Sequence, residues 1–207
     1  MDYYAALSEL TQNQQVAKTL KFGLYSPTTL VTPNVSGLAN PEAMRAAYAA
    51  GVRYVVSDTS RAGEDNPFPN VGIPNSKVAG IYMIPRRPTN LFFNVAAPAD
   101  WVAEYNCMYE GYWGRKLSYA DILADQSQTL VNYMIRGELD PWMFHQPNLD
   151  FYDRSHSLLT DLLDTTLSKY EALYNLPVLS PPMEEVGRMM QERGTTRAAG
   201  VSASPPR

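Results

Sequence analysis

A histidine leaving an apolar stretch for a polar turn, in Trp142-Met143-Phe144-His145-Gln146-Pro147-Asn148, is the residue of this sequence best suited to move a proton. Imidazole gives and takes a proton near neutral pH, and it does so best when a neighbouring group fixes its tautomer. The competing reading of His145 is a ring hydrogen-bonded beneath a loop. Asp58 closes the β-branched run Val52 to Ser57 and offers a carboxylate to orient a catalytic group, although Asp-Thr-Ser is also ordinary turn chemistry. Arg86 and Arg87 stand between Pro85 and Pro88, a stiff setting that suits a guanidinium clamping a carboxylate; otherwise they read as surface charge. His156, after Asp153-Arg154-Ser155, reads as part of a helix start.

These groups sit at the ends of predicted strands. Leu30-Val31 reads as a short buried strand closing at Thr32-Pro33, Asn40-Pro41 opens a helix that Gly51 stops, and residues 52 to 57 return as a strand, which makes a βαβ unit. Residues 58 to 80 read as a long loop, of the kind that binds or covers ligands. Strands follow at 81–84, 91–95, 142–145 and 178–179, and helices at 2–20, 98–112, 118–136, 157–174 and 183–192. The first helix starts with no preceding strand, cap or leader, like a domain met partway through. From residue 194 the chain is small and polar, so the expected organisation is one domain over 1–193 with a disordered tail over 194–207. In a parallel α/β fold, reactive groups gather at the carboxyl ends of strands, where Thr32, Pro33, Asp58, Arg86 and His145 lie.

Composition removes several function classes. With 17 basic and 21 acidic residues in a chain of 207, the net charge of −4 gives no footprint for nucleic acid or an anionic membrane. The lone Cys107 reads as a small buried hydrophobe. Phosphate-loop, dinucleotide-binding and Gly-x-Ser-x-Gly motifs are not found, and His145 and His156 lie on different elements without zinc-ligand spacing. The site residues expected from the chain therefore include no metal ligand. Loop aromatics, namely Tyr3, Tyr4, Tyr25, Phe68, Tyr82, Trp113 and Tyr119, are suited to stacking on sugar rings. A barrel glycosidase would need two facing carboxylates, with Asp58, Glu64, Asp65 and Asp140 as candidates.

Four stretches carry a resemblance: Tyr25 to Leu38, Gly51 to Ser60, Ile84 to Phe92, and Trp142 to Leu149. In this order they resemble the later part of the NodB-homology polysaccharide deacetylases, in the divergent branch of the galactosaminogalactan deacetylases. The resemblance implies an α/β fold, a partial and distorted (β/α) barrel, acting on an N-acetylated amino-sugar polysaccharide. It implies a divalent metal, zinc, for the complete family domain, held by one Asp and two His. His145 then matches the histidine that protonates the departing amine, and Asp58 or Arg86 would orient the catalytic groups. Thr32 and Pro33 fall on the groove wall, and Asn148 is a further candidate contact to substrate. The early Asp-Asp and His-x-x-x-His motifs of the family are missing, so the expectation is a fragment or remnant that is inactive alone. The alternative is a non-catalytic carbohydrate-binding or regulatory remnant.

Overall fold

A computed structural model describes residues 1–58 and 69–200. The described residues form two compact units, one from residues within 1–86, 139–141 and 180–200, the other from 87–138 and 142–179.

The first unit is built on parallel strands joined by helical connections. Helix α1 (Tyr3–Thr19) precedes strand β1 (Thr29–Leu30), helix α2 (Pro41–Ala49) and strand β2 (Tyr54–Asp58). Asn40 caps α2 by accepting from the backbone N–H groups of Glu42 and Ala43, Pro41 fills the first helical turn, and Gly51 reverses the chain at φ +99°. Strand β4 (Tyr82–Pro88) lies parallel to β2, with Tyr54 opposite Tyr82 and Asp58 opposite Arg86, while β1 flanks β2 on its other side. The short β3 (Ile73–Pro74) pairs antiparallel with the start of β4. Val35, Met44, Val55 and Ile81 centre one apolar cluster of this unit. The other joins Tyr82 and Ile84 to Val186 and Met190 of helix α6 (Met183–Ala198).

The second unit holds the end of β4, where Arg87 and Pro88 pair in parallel with Trp142 and Met143 of β5 (Trp142–Met143). Helices α3 (Pro98–Trp113), α4 (Tyr119–Ile135) and α5 (Leu158–Glu171) surround a core centred on Trp101, Ile122, Leu130 and Leu162. Ser118 and Ser157 cap α4 and α5 through reciprocal boxes with Asp121 and Thr160. Asn106 is the buried polar member of α3: it accepts from the Leu117 N–H and donates to the carbonyls of Val102 and Leu117, fixing the turn into α4.

Several elements differ from their sequence signals for identifiable reasons. Asp2 does cap α1, accepting from the Ala5 N–H at 2.8 Å. Only Ala6 and Ala17 of α1 are buried, while Val16 and Leu20 are more than half exposed. β4 continues past Pro85 to Pro88; at Pro85 only β2 flanks it among the described residues, so the missing N–H interrupts no two-sided ladder. Residues 91–95 form a turn, not a strand, because side chains satisfy their carbonyls in place of a neighbouring strand. Val178 and Leu179 are exposed and belong to no strand. Cys107 is exposed: two residues past the buried Tyr105, it lies about 200° around α3, on the far face. The loop predicted over 58–80 contains β3, and its residues 59–68, with Glu64, Asp65 and Phe68, lie outside the described residues.

α6 runs beyond residue 194 to Ala198, so regular structure extends past the expected start of the tail. Gly187 is its contact point. A Cβ there would stand 2.3 Å from Cδ1 of Tyr54 and 2.5 Å from its Cε1, so only glycine lets the helix backbone lie on that ring. Gly187→Ala is expected to cost about 1–3 kcal/mol by forcing the helix off the ring. Urea unfolding checks this; an unchanged midpoint would show that Tyr54 yields freely.

Candidate active site

Parallel order places the carboxyl ends of β1, β2 and β4 on one edge of the first unit's sheet. Asp58 and Arg86 meet there. They are register partners, with Nε of Arg86 donating to Oδ2 of Asp58 at 3.0 Å, and their side chains are only 4% and 14% exposed. A pair so enclosed is held by geometry as well as charge, because each ion is shielded from competing water. Arg87 is likewise no surface charge: Nη2 meets Oε2 of Glu138 at 2.9 Å and the guanidinium lies 4.7 Å over the Tyr133 ring.

The segment after β1 is strained. Asn34 and Val35 both take left-handed backbone angles, at φ 52° and 51°, which is costly for a β-branched residue; Val35 is held there by complete burial. Pro33 is presented to solvent. The Thr32 hydroxyl oxygen is buried, and among the described residues it has no hydrogen-bond partner.

His145 leaves β5 and opens a 3-10 turn, Gln146–Leu149. Its ring is partly buried and stands edge-on to Phe93, with centroids 6.3 Å apart and planes at 76°. Asn148 governs this loop. Its Oδ1 accepts from the His145 N–H at 2.6 Å, and its Nδ2 donates to the carbonyls of Phe92 and Val95, each at 2.9 Å. Asn148 is completely buried, so it cannot touch a substrate as the sequence suggests; its amide is spent on fastening two loops together. Phe93 is the residue that sequence reasoning overlooks, hidden in an apolar run that reads as a strand.

Two aromatic candidates are structural. The Tyr82 hydroxyl donates to the Val71 carbonyl beneath β4. Tyr119 and Tyr152 both donate to Oδ2 of Asp161. Burial and this carboxylate hold the Tyr119 phenol well above its ordinary range, and the hydrogen bond to Asp161 pushes Tyr152 up to about 12. His156 has the local role its sequence context suggests: Nδ1 meets Oδ2 of Asp153 at 2.9 Å, which raises the imidazole pKa. The backbone N–H groups of Ser155 and His156 close an Asx turn on the other carboxylate oxygen, which together with that ring contact lowers the Asp153 pKa.

Asp140 is buried and accepts from the Asn70 N–H at 2.7 Å. Among the described residues no group of three or more His, Cys, Asp or Glu stands close enough to hold a metal ion, so these residues do not fit the zinc site that the resemblance implies. Among them, too, no helix is long and apolar enough to cross a membrane.

Comparison with known proteins agrees with this architecture. The crystal structure of Agd3, described as a novel carbohydrate deacetylase, superposes with a TM-score of 0.78 over 96% of this chain at 22% identity. That likeness shows the fold, an α/β partial (β/α) barrel, and this chain spans 31% of the length of that one. No curated protein matches. The family model of the Agd3 deacetylase domain matches residues 1–204, and the chain therefore belongs to this family of carbohydrate deacetylase domains.

Proposed function

We propose that this chain is the amino-sugar-handling and proton-donating part of a carbohydrate N-deacetylase, and that by itself it does not hydrolyse the amide. The observation that carries the reading is His145 held by Asn148 at the carboxyl end of a parallel strand, inside a deacetylase-family domain. In amide hydrolysis water adds to the acetyl carbon and gives its proton to a separate base. As the C–N bond breaks, the nitrogen keeps the bonding pair and takes a proton from the His145 imidazolium; acetate and a free amine leave. Imidazole suits this role because it exchanges protons near neutral pH. The Asp58–Arg86 pair fixes the strand ends of β2 and β4 against each other.

The test is metal analysis of the purified chain after dialysis against trace zinc, together with acetate release from N-acetylated galactosamine and glucosamine oligomers. The expected result is no stoichiometric zinc and no acetate, because the described carboxylates and imidazoles do not converge as a ligand set. One zinc per chain that disappears in His145→Ala, or sustained acetate release, would overturn the reading.

A further inference from the structure

We propose that Phe93 is a platform for the pyranose ring and that Asn148 is the positioning residue that sets this platform against His145. The inference rests on the reading above of an amino-sugar-binding domain. Three observations support it.

The first is the contrast between exposure and support. The Phe93 ring is 70% exposed, yet it stands on a turn that is tied down at many points. Asn90 reverses the chain at φ 56°, its carbonyl accepts from the Trp101 indole N–H at 2.7 Å, and its amide donates to Gln126. Phe92, next in sequence, packs against the core. A scattered surface phenylalanine needs no explanation, but an exposed ring carried on a turn fixed at this many points costs little backbone ordering on meeting a ligand.

The second is the corner. Phe93 and His145 stand nearly at right angles, so the pair presents one apolar face beside one nitrogen-bearing ring. A pyranose is amphipathic in the same sense: its C–H face stacks on an aromatic ring while its edge carries the hydroxyl and nitrogen substituents. With the C–H face on Phe93, the nitrogen edge turns toward His145.

The third is the clamp. One buried asparagine side chain joins the two loops, through the His145 N–H on one side and the Phe92 and Val95 carbonyls on the other. It makes the corner a fixed feature, the support that a binding constellation requires.

The test measures binding of galactosamine and N-acetylgalactosamine oligomers to the full chain by calorimetry and saturation-transfer NMR, for the native protein, Phe93→Leu and Phe93→Trp. Phe93 is exposed enough that both variants are expected to keep the native melting temperature. Phe93→Leu is expected to weaken binding about five- to tenfold, the order for losing one stacked aromatic face, whereas Phe93→Trp keeps or improves it. Native-like affinity in Phe93→Leu would remove the platform while leaving sugar binding in place. No binding of any oligomer by the native chain would overturn the proposed function itself, and the platform with it.

Discussion

Replacing Asp58 with alanine is expected to lower the free energy of unfolding by about 3–5 kcal/mol, the range for removing one partner of an enclosed ion pair. The magnitude follows from what is left behind. The Arg86 side chain is 14% exposed, and in the native chain its Nε donates to Asp58 at 3.0 Å. Without that carboxylate, Arg86 loses the acceptor at its Nε in a place that water reaches poorly, or β4 shifts to release it. Charge and shape can be separated. Asp58→Asn keeps an acceptor near Nε but no charge, so it should fall between the native protein and Asp58→Ala. Replacing both members, as Asp58→Leu with Arg86→Met, should recover much of the loss, because two apolar side chains need no solvation. Urea unfolding at neutral pH, with the double-mutant cycle, checks all three. A loss below about 1 kcal/mol in Asp58→Ala would place the pair among ordinary surface bridges. The pair's functional weight lies in its register, since it fastens the carboxyl ends of β2 and β4, the strand edge that the fold family uses for chemistry.

The sequence marks some of these features and hides others, according to the range of the interaction. α2 is readable because its signals are local: Asn40, Pro41 and Gly51 each act on the backbone within one turn. β2 and the first half of β4 are readable as short β-rich runs, and the apolar run Trp142-Met143-Phe144 places His145 at the end of a strand. The Asp58–Arg86 pair is legible only as two candidates, because its partnership depends on the parallel register between strands separated by a long connection. Residues 91–95 mislead for the opposite reason: an apolar run looks like a strand whether a neighbouring strand or a distant asparagine satisfies its carbonyls. Cys107 misleads because residue type sets an average tendency to burial, while helical phase decides which face it occupies. Asn148 looks like a polar loop residue facing ligand; nothing near it in sequence announces that Phe92 and Val95 need its donors.

That last misreading yields a sharp expected result: Asn148→Asp, an almost isosteric change, should destabilise the chain by about 3–5 kcal/mol at neutral pH, in the range for an uncompensated buried charge. The new carboxylate could still accept from the His145 N–H, but its second oxygen would face the Phe92 and Val95 carbonyls where an NH2 group now donates at 2.9 Å. Complete burial and two opposing carbonyl dipoles both disfavour the charged form, so the folded-state pKa of this aspartate would be raised above its unfolded value. The sign of the pH dependence follows. Below the unfolded pKa the carboxyl is neutral in both states and can donate one hydrogen bond to a carbonyl, so the variant approaches the native protein there. As pH rises through the folded pKa, the variant must bury a charge, and the penalty grows to its full size. Comparing urea midpoints of the native chain and Asn148→Asp at acidic and neutral pH isolates this effect, since other titrating groups are common to both. A gap that does not widen with pH would mean that the loop relaxes and lets water reach residue 148, and the clamp between the Phe93 turn and His145 would then be too weak to position either ring. A widening gap, with the His145 and Phe93 resonances of the variant shifting together, would show the two loops to be mechanically one.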